Sequence, residues 1–105
     1  MLSQTNITRR PVIQRGNLTI DPQCCTVLLE GEEVSLCPKE FDVLLLLAQY
    51  SGWVLSAKQI YEAVWKEDSV KCHTVIYNTI CQIRKKLKKP EIIKTVVGKG
   101  YKFIG

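Results

Sequence analysis

Between Val12 and Leu36 the apolar residues come in short runs. Val12 comes first, then Leu18 with Ile20, then Thr26 to Leu29, then Val34 and Leu36 around Ser35. Gly16-Asn17, Asp21-Pro22 and Glu30-Gly31-Glu32 separate them. Apolar positions two apart, bounded by turn residues, predict strands. The tight turns predict a meander of antiparallel pairs.

The period then lengthens. Phe41, Leu44, Leu45 and Ala48 recur at helical spacing, which gives one apolar face. Pro38 suits the first turn of that helix and Gly52 stops it. Ser56 and Gln59 have the spacing of a capping box, so a second helix should start at Ala57. Ile60, Ala63 and Val64 should face inward, with Trp65 at the end. Lys66 to Val70 reads as a short charged connection.

A third helix is predicted within Cys72 to Lys89. At about 100° per residue, Ile76, Ile80, Ile83 and Leu87 fall in a stripe roughly 60° wide. Tyr77, Asn78, Cys81, Gln82, Arg84, Lys85 and Lys88 point away from it. Pro90 ends the helix. Ile92 to Val97 and Tyr101 to Ile104 read as paired strands around Gly98-Lys99-Gly100. The expected fold is α+β: a winged helix-turn-helix with an N-terminal four-stranded antiparallel sheet, three helices and a C-terminal β-hairpin wing. The domain should span residues 11–105, behind a loose polar lead-in at 1–10. One core should hold Phe41, Leu44, Leu45, Ile60, Val64, Ile76, Ile80, Ile83 and Leu87.

Composition adds limits. A chain of 105 residues, 46% apolar and 24% charged, can bury the core of one domain. Val43 to Ala48, the longest apolar run, is far too short to cross a bilayer, so no membrane role is expected. No signal peptide opens the chain, which predicts a cytoplasmic location. The five cysteines are odd in number and lack a C-x-x-C pair, so reduced thiols are expected. Cys72, His73 and Cys81 do not make a recognised zinc set, and no metal or cofactor is predicted. Catalysis is not expected either. His73 is the sole histidine, and its neighbour Cys72 should point away from it on a helix. No nucleophile triad or phosphate loop is visible.

Charge changes the picture most. Residues 71–105 hold eight lysines and Arg84 against Glu91 alone, a net of +8. Residues 1–70 hold six basic and nine acidic residues, a net of −3. A positive field confined to the third helix and the hairpin suits a polyanion.

Five stretches then agree with one family: Leu36 to Asp42, Val54 to Ser56, Ala63 to Trp65, Ile83 to Leu87, and Thr95 to Phe103. In that order and spacing the chain resembles the C-terminal effector domain of OmpR/PhoB-type response regulators. The resemblance covers residues 12 to 104. It implies a DNA-binding domain of a bacterial two-component transcriptional regulator. The third helix would enter the major groove and the wing would touch the minor groove. It also implies direct-repeat half-sites, a receiver domain and sensor kinase if the protein is longer, and RNA polymerase contact through the loop 66–74. The family commonly has Thr at Cys37 and Arg at Val97, so capping and minor-groove reading differ here.

The DNA-facing set expected is Trp65, Thr74, Asn78, Thr79, Cys81, Gln82, Arg84, Lys85, Lys88, Thr95, Lys99 and Tyr101. Arg84, Lys85, Lys88 and Lys99 suit phosphates. Asn78 and Gln82 suit adenine edges. Thr95 resembles the family's backbone-contacting wing threonine. Trp65 and Tyr101 can pack in the core and still present a polar atom to a phosphate. The alternative is a winged-helix protein-interaction module without DNA binding. An RNA reader fits less well, because no sheet face carries exposed aromatic pairs.

Overall fold

The computed structural model describes residues 11–67 and 70–104. The lead-in expected at residues 1–10 lies outside them. Four short strands come first: β1 (Ile13–Arg15), β2 (Leu18–Asp21), β3 (Thr26–Leu29) and β4 (Glu32–Val34). They pair antiparallel in sequence order. Register places Ile13 opposite Ile20, Ile20 opposite Val27, and Val27 opposite Val34. Side chains directly opposite share a face, so this row forms one apolar strip across the sheet. The strip joins the same buried cluster as the helices.

Helix α1 (Pro38–Gln49) has its proline at the first turn, as expected. Its N-cap, Cys37, has its N–H satisfied by the Glu40 carboxylate at 2.9 Å. That half of the capping box needs no hydroxyl at position 37. Glu40 is nearly buried and also receives Lys86 Nζ at 2.7 Å. The pair joins the start of α1 to the end of the third helix.

Helix α2 (Ala57–Trp65) begins at a complete capping box, with Ser56 Oγ accepting from Gln59 N at 3.0 Å. Its inner face differs from the expectation. Ala63 is exposed, Val64 is half-buried, and Ala57, Ile60 and Tyr61 are buried. A tyrosine ring removes far more apolar surface from water than an alanine methyl. Tyr61 therefore takes the inner position, and it stacks on Trp65 with centroids 4.9 Å apart.

Helix α3 (Cys72–Leu87) buries Ile76, Ile80, Ile83 and Leu87 completely. Lys88 ends it in the left-handed conformation at φ 56°, before Pro90 is reached. Pro90–Ile92 form a single 3-10 turn, β5 covers Ile93–Val96, and β6 covers Gly100–Phe103. The hairpin is not isolated. Leu55 N–H donates to Tyr101 O, and Tyr101 N–H to Leu55 O, both at 2.8 Å. Gly52 N–H donates to Phe103 O at 2.9 Å. The link between α1 and α2 therefore runs beside β6 like a third strand. Gly100 permits this closeness: its φ is 147°, and a Cβ there would stand 2.1 Å from Leu55 O. Among the described residues no helix is long and apolar enough to cross a membrane.

Candidate nucleic-acid interface

The buried isoleucine stripe decides which side of α3 meets solvent. Opposite it, Thr74, Asn78, Gln82 and Lys85 are exposed, and Cys81 is half-buried. No acid occurs in sequence between Lys71 and Pro90, so α3 itself brings amide and ammonium groups to this face and no carboxylate. Thr79 is elsewhere. It is half-buried on the flank, with Oγ1 donating to Val75 O at 2.8 Å.

Arg84 differs most from the sequence reading. It is half-buried rather than outward-facing. Nε and Nη2 both donate to Ile93 O, at 3.1 and 2.7 Å, and Nη2 also reaches Thr95 Oγ1 at 2.8 Å. A planar guanidinium can hold a carbonyl and a hydroxyl at once, which an ammonium cannot do in the same plane. Arg84 thus fixes the wing against α3. The wheel placed Arg84 only about 80° from Ile76, on the flank toward the wing.

Tyr101 is 9% exposed and lies beneath this junction. Burial pushes its phenol above the usual range, with Arg84 partly offsetting the rise. Thr95 stands directly across from Tyr101 in the hairpin and is exposed. At the tip, Lys99 N–H donates to Val96 O at 2.9 Å, closing the turn through Gly98 at φ 75°. Lys99 is exposed, and so is Val97 at 91%. Lys94 lies opposite Lys102 on the outer face of the wing. Like charges directly opposite are unfavourable.

Lys88 and Trp65 stand apart from this assembly. Lys88 lines a cleft of about 760 Å³ between the sheet and the end of α3, with Glu30, Glu32 and Glu33 on its other wall. Its wheel position assumed a helix that had already ended. Trp65 sits at the end of α2, half-buried, with Lys39 Nζ 5.4 Å from the ring centroid. Cys72 to Thr74, the end of the loop 66–74 that the resemblance implied, belong to α3, where the helical period put them.

Two residues outside the expected set lie beside this face. His73 and Tyr77 line a groove of about 380 Å³ with Ser56, Thr95, Lys99 and Tyr101. The wheel held the signal, since both fall on the same flank as Arg84. His73 Nδ1 lies 3.5 Å from Cys72 Sγ, so the neighbours do not point apart. Residues about 100° apart still have adjacent Cα atoms, and an imidazole is long enough to swing back.

A helix-turn-helix whose second helix is clamped to a β-hairpin defines the winged-helix class. The family model described as "Transcriptional regulatory protein, C terminal" matches residues 31–103. The chain is 38% identical over 99 residues to the transcriptional regulatory protein CutR of Streptomyces coelicolor, covering 94% of this chain and 46% of CutR. The RstA DNA-binding domain of Klebsiella pneumoniae, solved in complex with the RstA box, superposes with a TM-score of 0.82 at 33% identity. That match covers 90% of this chain and 98% of that one. DrrB of Thermotoga maritima, an OmpR/PhoB homologue, matches at TM-score 0.80 and 35% identity, over 90% of this chain and 44% of its own. The chain belongs to this family of C-terminal effector domains of OmpR/PhoB-type transcriptional regulators. It spans less than half the length of CutR and DrrB.

Proposed function

We propose that this domain binds duplex DNA sequence-specifically, with α3 in the major groove and the wing tip at the adjacent minor groove. The observation that carries the reading is the joint exposure of Asn78, Gln82 and Lys85 on α3 and Lys99 on the wing, with Arg84 fixing the two elements together. Amides read base edges and ammonium groups hold phosphates. Thr74, Cys81 and Thr95 border the same surface. Tyr101 and Arg84 support it from beneath. Thr79, Lys88 and Trp65 have the weaker claim on DNA: Thr79 bonds its own helix, Trp65 packs against Tyr61, and Lys88 lines the cleft beside the sheet. The RstA domain's complex with its DNA box adds support by likeness.

In this reading the domain acts without catalysis and without a cofactor, in the cytoplasm. It serves a two-component regulator, with a receiver domain and a sensor kinase as partners if the protein is longer than this chain. It is a monomer when free and binds side by side on direct repeats about one helical turn apart. The segment 66–74 is the surface offered to RNA polymerase.

Selection of bound duplexes from a random pool tests the reading. Enrichment of a repeated motif, with affinity falling steeply as salt rises, is the expected result. Retention of no duplex at low salt overturns it and leaves the winged-helix interaction module.

A further inference from the structure

His73 is an exposed imidazole in the groove between α3 and the wing. We propose that it is a proton-dependent phosphate ligand, so that affinity for duplex DNA rises as pH falls. The inference rests on the DNA-binding reading above. A strand passing from the face of α3 to the wing tip crosses this groove, because the helix and Lys99 form its two sides.

The groove's chemistry suits an anion. Lys99 supplies a fixed positive charge, while Thr95 and Tyr77 supply hydroxyls. Ser56, on the α2 side, is uncharged. No carboxylate lines the groove among the described residues. Among the described residues, the titratable groups around His73 are Cys72 and Tyr77 on its own helix and Lys99 and Tyr101 on the wing, with Lys71 two residues before it. A phosphate entering the groove would therefore meet no carboxylate among the described lining residues.

The ring geometry fits that role. Nδ1 is engaged with Cys72 Sγ at 3.5 Å, which leaves Nε2 for a ligand. A neutral imidazole offers a phosphate at most one donor, whereas an imidazolium adds a full charge. Imidazoles change charge between about pH 5 and 8. Phosphodiesters keep theirs throughout that range. His73 is the only histidine in the chain, so a response centred there has one main candidate.

The test measures affinity for one mixed-sequence duplex at several salt concentrations, from about pH 8 to about pH 5.5. The proteins are the wild type, His73→Gln and His73→Arg. Melting curves at both ends of the range confirm that each is folded. The wild type should bind several-fold more tightly at the acid end, with a salt slope steeper by about one unit. His73→Gln should bind as the wild type does at the alkaline end and should gain little on acidification. His73→Arg should bind at the alkaline end as tightly as the acidified wild type. Equal pH responses in the wild type and His73→Gln, with binding intact, overturn the proposal alone. Absence of duplex binding by all three proteins overturns the DNA-binding reading, and this proposal with it.

Discussion

Arg84 reaches Thr95 across the junction between α3 and the wing, with Nη2 2.8 Å from Oγ1. The same guanidinium holds the Ile93 carbonyl through two nitrogens. An arginine in the basic segment of such a domain reads from sequence as a phosphate ligand, yet Nε and Nη2 here are engaged by the wing. Arg84→Ala should therefore cost stability, about 1–3 kcal/mol, because Ile93 O loses its side-chain partners in a half-buried place. Thermal melting measures the loss, and hydrogen exchange should show it concentrated in β5 and β6. Arg84→Lys should rescue little, since one ammonium cannot reproduce the fork. A fully stable Arg84→Ala protein with a flattened salt slope would show that the guanidinium serves DNA instead.

Gly100 gives a sharper steric test. Gly100→Ala places a methyl group against Leu55 O in a backbone conformation that side chains rarely adopt. The wing must then separate from the α1–α2 link or the whole domain must shift. A loss of about 2 kcal/mol or more is expected in denaturant melts. Gly98→Ala meets nothing within 4 Å and carries only the conformational cost of its positive φ. It should be the milder of the two.

Lys86 should make stability depend on alkaline pH. Its hydrogen bond to Glu40 holds its proton more tightly than the ordinary lysine value of 10.5. A raised lysine contributes fully below that ordinary value, and the contribution fades as pH climbs through the higher folded one. Lys86→Met should melt below the wild type at neutral pH, and the gap should narrow above about pH 10.5. A gap that stays constant through that range would mean the ammonium is not what Glu40 requires.

Gln82 and Lys85 are both exposed on α3 but should fail differently on DNA. Lys85→Ala should weaken binding to every duplex and flatten the salt dependence by about one unit. Gln82→Ala should leave the slope alone and reduce the preference for one base pair, by roughly 1–3 kcal/mol if the contact is bidentate. Affinities for matched and mismatched sites across a salt series separate the two. Uniform losses for Gln82→Ala would mean that it reads no base.

Much of this was legible in the sequence because it is local. The stripe Ile76, Ile80, Ile83 and Leu87 follows from helical period alone, and it sits fully buried. The Ser56–Gln59 box and the Pro38 start are first-turn features, and both appear where the spacing put them. The choice between Tyr61 and Ala63 needed relative side-chain size and a partner, Trp65, at the end of the same helix. The partners of Arg84 are nine and eleven residues away, beyond the 3-10 turn at Pro90–Ile92. The left-handed cap at Lys88 moved that side chain off the wheel before the proline took effect. These outcomes depend on tertiary approach, which periodicity does not encode.

The backbone bonds that join Leu55 to Tyr101 and Gly52 to Phe103 have a mechanical consequence. They hold the hairpin to the body on one side while Arg84 holds it on the other. The separation between helix and wing tip is therefore set before any partner arrives. Such an object works as a caliper. A duplex whose minor groove is too wide or too stiff at the right offset must itself bend to fit, at an energy set by its base steps. Preference would then extend to base pairs that no side chain touches. It would be read in the bend of the bound duplex as well as in the bases that α3 faces.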